Sequence, residues 1–397
     1  MIKCNKRIAL ITIENINNIG DELLGSNTKY LVEKCFKKID IDRINLHPNK
    51  KELGLKYIFN MILAKALFIF ADTCLNGNIK HIVKNRGINI KYQSYFKTKL
   101  KNYDAIIFAI GMLKYSTQNF SFSFELINNI AKKYNIPVMM SAMSIEKYNE
   151  NDWRCKQIVR AVNNPIVKCI TTRDNEKELD VLKNKYLTKN TNCYIECVGD
   201  PALWTKETYQ INDNNHSKSD LIGIGLIRLG IFEDYGYNIT KRQLFNLYVN
   251  IIKELEKRQL NWVLFCNGMS EDYEVGLKLI EKLNLPQSKL LPKPQTPNDL
   301  IKILLGFKCV MGARLHSCIT SYALGIPIVG LIWDNKLRAF AEKIEWKRFF
   351  LEENELDPLV IVNMLELVSS YRYDNNRKTL LKNKTLKSIF QFLQIVN

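Results

Sequence analysis

Short apolar runs alternate with longer helical patterns along most of this chain, and that alternation limits the fold more than any single motif does. Residues 7–13 run apolar instead of alternating, as a strand buried on both faces does. A polar loop at 15–20 and a helical pattern at 21–38 follow. Strands at 104–110, 137–141, 166–171 and 194–198 then alternate with helices at 122–134, 152–163 and 175–186. This order predicts right-handed βαβ crossovers in a mostly parallel sheet. Residues 48–101 read as helical but less regular, with no evident order to the pieces.

The polar, unpatterned residues 209–219 (YQINDNNHSKS) read as a linker. A second alternation begins with a strand at 221–227, a helix at 242–257, a strand at 262–266 and a helix at 273–282. Short elements around Leu290 and Leu300 lead to a strand at 307–311, a helix at 317–324 and a strand at 328–333, and a basic amphipathic helix at 375–394 closes the chain. The expected architecture is α/β: two Rossmann-like lobes at 1–212 and 213–397, with the closing helix packing back on the first. A chain of 397 residues has room for two domains of ordinary size.

The formal net charge of +18 favours acidic partners: phosphorylated metabolites, nucleotide sugars or an anionic membrane face. The lysines are spread along the chain rather than gathered, and no nucleic-acid-binding module is evident, so nucleic acid is not an expected partner. Ten scattered cysteines fit a reducing compartment; Cys193 and Cys197 have no second pair, which is poor metal spacing, and no metal is expected. A few basic residues lead straight into the first strand, with no signal peptide pattern. The expected location is cytoplasmic, with peripheral contact at the inner leaflet as an option. The apolar stretch 57–71 is broken by Asn60 and Lys65 and is shorter than the roughly 20 residues a bilayer span needs. It reads as a buried helix of the first lobe in preference to a membrane-surface anchor.

The densest chemistry lies between Val310 and Lys336. The strand ending at Met311 stops at Gly312, and Arg314 and His316 sit at the strand-to-helix turn, with Leu315 and Ser317 beside them. Gly325 ends the helix, Pro327 restarts extended chain, and Asp334 and Lys336 follow the next strand. Ligands of open parallel sheets bind outside the carboxyl ends of the strands, so these four polar side chains could share one crevice. A guanidinium, an imidazole and an ammonium suit an anionic substrate that needs proton transfer. Asn18, Gly20 and Asp21 follow the first strand and suit an anion at a helix N-terminus, or plain capping. Arg173 ends the strand at 166–171, with Asp174 as the expected N-cap behind it. Asp200 is held extended by Pro201. Asn267, in Cys266-Asn267-Gly268, either offers a ligand-binding turn or is only a turn. His47, His81 and His216 read as solvated. No nucleophile elbow, HExxH or Walker loop is present.

Taken in order, NIGDE (18–22), TRD (172–174), GDPA (199–202), RLHS (314–317) and the GIP…WDNK run (325–336) resemble the polysaccharide pyruvyl transferases. The resemblance covers most of the chain, and RLH with its downstream GIP and Lys is the specific part. It implies a GT-B-like arrangement with the site between the lobes. It also implies transfer of pyruvate from phosphoenolpyruvate onto two sugar hydroxyls as a cyclic ketal, in surface polysaccharide synthesis, without a cofactor. On that reading Arg314 and Arg173 hold the donor's phosphate and carboxylate, and Lys336 is a weaker third. His316 is the general acid toward the methylene or the leaving phosphate, and Asp200 or Asp21 accepts a hydroxyl proton. The acceptor sugar could be nucleotide-linked, lipid-linked or polymeric. One departure falls after the strand at 104–110: the family's Gly-rich turn is reduced to Gly111, followed by Met112-Leu113-Lys114. Two other readings fit the residues: a GT-B glycosyltransferase using a nucleotide sugar in the same crevice, and a non-catalytic basic scaffold at a membrane.

Overall fold

Two parallel sheets account for the apolar runs. The computed structural model describes residues 6–14, 18–36, 38–48, 56–75, 77–113, 120–212 and 219–396. The chain forms two compact units: residues 1–14, 28–199 and 384–397 in the first, 15–27 and 200–383 in the second. The division falls near the middle of helix α1 (Ile19–Cys35) and near the middle of the closing helix.

In the first unit the strands are β1 (Lys6–Thr12), β2 (Ile39–Asn45), β3 (Ala105–Phe108), β4 (Met112–Leu113), β5 (Val138–Ile145), β6 (Val167–Thr172) and β7 (Tyr194–Cys197). Their order is β2-β1-β3-β5-β6-β7, with β4 on β5, and every pairing is parallel. The buried runs IALIT of β1 and AIIF of β3 explain why both sit inside the sheet. The helices are α2 (Lys56–Cys74), α3 (Gly77–Leu100), α4 (Phe120–Lys133), α5 (Trp153–Val162) and α6 (Glu176–Val181). Asp152 caps α5 by accepting the Arg154 N–H at 2.8 Å. Phe108 of β3 meets Phe124 of α4 edge-on at 5.0 Å, one of the contacts that seat the helical layer on the sheet.

The second unit contains β8 (Ile222–Gly225), β9 (Trp262–Phe265), β10 (Cys309–Gly312), β11 (Ile328–Leu331) and β12 (Phe350–Leu351), in the order β12-β11-β10-β8-β9, again all parallel. Around it pack α7 (Lys241–Lys257), α8 (Ser270–Leu283), α9 (Pro297–Leu305), α10 (Leu315–Leu324), α11 (Asn335–Lys343), α12 (Pro358–Val368) and the start of α13 (Asn375–Gln394). Its core holds Trp262, Tyr248, Phe232 and Phe265, together with Ile19 and Leu23 from the first turns of α1.

Several sequence-based expectations change. The helix expected at 175–186 is α for Glu176–Val181 and then a π turn at Leu182–Tyr186. Its N-cap is Asn175, not Asp174, because the Asp174 carboxylate is occupied by the Ser144 hydroxyl and by the Ile145 N–H at 3.2 Å. The short element near Leu300 is a nine-residue helix started by a Thr296/Asp299 capping box. The stretch 48–101 contains the two long helices α2 and α3. The buried helix expected at 57–71 is overturned on one side: Phe59 is 72 % and Ile62 64 % exposed. Within the expected linker, residues 213–218, His216 among them, lie outside the described residues, as do Cys4 and Lys114. Of the nine described cysteines, none is in a disulfide, six are buried and Cys74 is exposed. His47 is exposed.

Candidate functional site

The carboxyl edge of the second sheet collects most of the singled-out polar residues, because parallel strands all end on the same side. The chain runs from β8 outward to β9 on one side and returns to β10, β11 and β12 on the other, so the topological switch point lies between β8 and β10. Arg228 follows β8; Arg314 and His316 follow β10. Crevices at such points are where open α/β sheets hold ligands.

Arg314 is the N-cap of α10, with extended backbone at φ −101° and ψ 130°. Its guanidinium donates from Nε to Asp272 Oδ2 at 2.8 Å and from Nη2 to Asp272 Oδ1 at 2.6 Å. Asp272 lies in the first turn of α8, is fully buried, and also accepts the Arg228 N–H at 2.8 Å. One carboxylate therefore ties together the ends of β8 and β10 and the start of α8. A bidentate fork on a buried carboxylate fixes the guanidinium plane and leaves its Nη1 edge outside that pair.

His316, on the first turn of α10, is 11 % exposed at its side chain. Its Nε2 lies 4.0 Å from Asp200 Oδ2. Asp200 is the N-cap of the turn Pro201–Trp204: its Oδ1 accepts the Ala202 N–H at 2.7 Å, which holds the carboxylate in place. On the imidazole's other edge is Gly20. A Cβ at residue 20 would overlap Nδ1 and Cγ of His316, so the ring rests directly on the backbone of α1. Asn18 completes that helix start, accepting the Gly20 N–H at 3.1 Å and donating to Asp21 Oδ2 at 2.9 Å. Asp21 is thus engaged in shaping the helix start, whereas Asp200 faces the imidazole.

Ser317 donates to Asn267 Oδ1 at 2.8 Å, both side chains being buried. This bond joins the end of β9 to α10. Leu315 is half-buried against the core of the second unit. Asp334 caps α11 by accepting the Lys336 N–H at 3.0 Å, and Lys336 Nζ lies 3.6 Å from the same carboxylate. Arg173 belongs to the first unit, directly after β6, and is 8 % exposed. The structure thus brings His316, Asp200 and Gly20 together, and Arg314 with a residue to which the sequence reading gave no role. That residue, Asp272, had one visible signal: it is acidic and lies in the first turn of the helix after Asn267-Gly268.

Fold and site together define an α/β protein of two parallel sheets whose second sheet carries its Arg, His and Asp side chains at the switch-point edge. Solved structures of the GT-B type share this fold. The Methanocaldococcus jannaschii UDP-GlcNAc 2-epimerase in complex with UDP-GlcNAc and UDP matches with a TM-score of 0.55 at 15 % identity, over 98 % of each chain. The Neisseria meningitidis UDP-GlcNAc 2-epimerase bound to UDP-GlcNAc matches with a TM-score of 0.57 at 11 % identity, over 98 % of this chain and 100 % of that one. No curated protein matches by sequence. The chain belongs to the polysaccharide pyruvyl transferase family, whose model matches residues 18–335.

Proposed function

We propose that this chain transfers the pyruvyl group of phosphoenolpyruvate to two hydroxyls of a sugar, as a cyclic ketal, during synthesis of a surface polysaccharide. The observation that carries this is His316, backed by Gly20 and 4.0 Å from Asp200, two residues from the clamped Arg314. In the proposed reaction the donor's C3 methylene gains a proton and becomes a methyl group. Its C2 then forms two C–O bonds to the acceptor, and the bond from C2 to the phosphate oxygen breaks. The two acceptor hydroxyls release two protons; one balances the methyl group and the other leaves with the phosphate. His316 donates to the methylene or to the departing phosphate. Asp200 takes a hydroxyl proton, since Asp21 is committed to Asn18. Arg314, fixed by Asp272, presents its Nη1 edge to the donor's phosphate or carboxylate, with Lys336 as a further cation. Arginine neutralises phosphate in a fixed geometry, so the donor needs no metal to be held.

The test is mass spectrometry of sugar acceptors incubated with the protein and phosphoenolpyruvate. A pyruvate ketal adduct is the expected product, and His316→Ala lowers its rate by about 10²–10⁴-fold. Undiminished turnover in that variant removes His316 from the chemistry. Thermal shift separates the competing reading, because a ligand that binds only the native state raises the melting temperature. A shift with UDP- or CMP-sugars and none with phosphoenolpyruvate would favour a nucleotide-sugar glycosyltransferase, the type of ligand held by the epimerases of similar fold.

A further inference from the structure

Helix α2 is apolar on nearly every side, and its packing divides those residues into two faces. At about 100° per residue, Ala64, Phe68 and Ala71 fall on one face. Ala64 and Ala71 are buried, and Phe68 lies so close to α3 that a Cβ on Gly87 would come within 2.8 Å of its ring. The opposite face is bare. Phe59, Ile62, Leu63, Ile69 and Phe70 fall within an arc of about 120°, and each is 42–72 % exposed. On the first turns of α3, Ile79 and Ile82 are 60 % and 68 % exposed. Single exposed apolar side chains are ordinary, but a continuous stripe of this kind marks an interaction surface.

The charge around the stripe identifies its partner. Residues 56–100 contain seven Lys and Arg86 against one acid, Asp72. That acid is matched by Lys80 at 2.9 Å and Lys84 at 2.7 Å. Exposed Lys65 lies on the flank of the α2 stripe, and exposed Arg86 continues the face of Ile79 and Ile82 at helical spacing. We propose that the α2–α3 hairpin seats on an anionic bilayer surface, with the apolar stripe in the boundary between headgroups and acyl chains and Lys65 and Arg86 at lipid phosphates. A second copy of the chain would press two faces of like charge together, whereas lipid phosphate has the opposite sign. No described helix is long and apolar enough to cross a membrane, so α2 lies in the plane of the interface. This inference concerns the first unit alone and does not depend on the proposed reaction.

The experiment is cosedimentation of the full chain with vesicles of phosphatidylcholine, with and without phosphatidylglycerol. The chain is expected to bind the anionic vesicles, and raising the salt from about 0.1 to 0.5 M weakens binding by about tenfold or more. The variant F59S/I62S/F70S partitions at least about a hundredfold less, and K65E/R86E also binds more weakly. Because these side chains are exposed, circular dichroism and the melting temperature stay at wild-type values. Wild-type binding by F59S/I62S/F70S overturns the proposal. So does a wild-type chain that ignores anionic vesicles, or one whose dimer F59S/I62S/F70S breaks while no vesicle binds.

Discussion

A methyl group at residue 20 is the smallest change that reaches the imidazole. Gly20 is the second residue of α1 and its φ is not positive, so Ala is locally preferred there by about 1 kcal/mol. The added Cβ would overlap Nδ1 and Cγ of His316. Gly20→Ala should therefore leave the melting temperature of the free chain within a few degrees of wild type while lowering kcat for ketal transfer by about 10–100-fold, the effect of misplacing a reacting group by about 1 Å. Steady-state kinetics alongside a thermal melt checks both halves, and unchanged kcat would mean that the ring can move without consequence. At this scale the sequence spoke unevenly. Arg314 and His316 were visible because they interrupt an apolar strand-to-helix turn. Asp272 was visible only as an acid behind Asn267-Gly268, and its pairing with Arg314 was not legible, because the two are 42 residues apart and burial of a carboxylate leaves no local pattern. The contact between Gly20 and His316 is equally non-local, so the glycine could be read only as a turn or anion-binding residue.

Helix α10 shows how much one residue type can settle at the scale of an element. Gly325 caps its C-terminus at φ +85°, in the left-handed region, and passes the chain to β11. Nothing lies within 4 Å of where a Cβ would be, so Gly325→Ala adds backbone strain without a clash. The expected cost is about 1–2 kcal/mol, read as a lower urea midpoint at unchanged slope; no change in midpoint would show that the turn relaxes freely. This stop was legible, as were the strands with continuous apolar runs. The alternating strand β2 (IDIDRIN) was missed, since its acidic positions point outward at the sheet edge. The start of α12 was also passed over, although Asp357 accepts the N–H groups of Leu359 and Val360 ahead of Pro358, an ordinary helix entry. The two-residue strands β4 and β12 are too short to carry any period. Helix α2 was read as buried throughout because it is apolar on nearly every side, and such a helix does not say which face is covered.

For the whole molecule, two successive alternations pointed to two α/β units, but the path of the chain between them left no compositional trace. Residues 15–27 follow β1 directly, yet they belong with residues 200–383. Ile19 and Leu23 are buried in the core of the second unit, and Asn27 accepts the Thr208 hydroxyl at 2.7 Å. Stability of the second unit should therefore depend on a segment far from it in sequence. Leu23→Ala deletes a fully buried side chain, which costs about 2–5 kcal/mol. Hydrogen exchange on the intact variant reads where that cost falls. Amides of β8, β10 and β11 should lose protection, while those of β1 and β2, which flank the substitution in sequence, keep theirs. Equal loss in both sheets would mean that the two units open as one cooperative body. Loss confined to β1 and β2 would return the start of α1 to the first unit and detach the Gly20 support of His316 from the sheet whose edge carries the site.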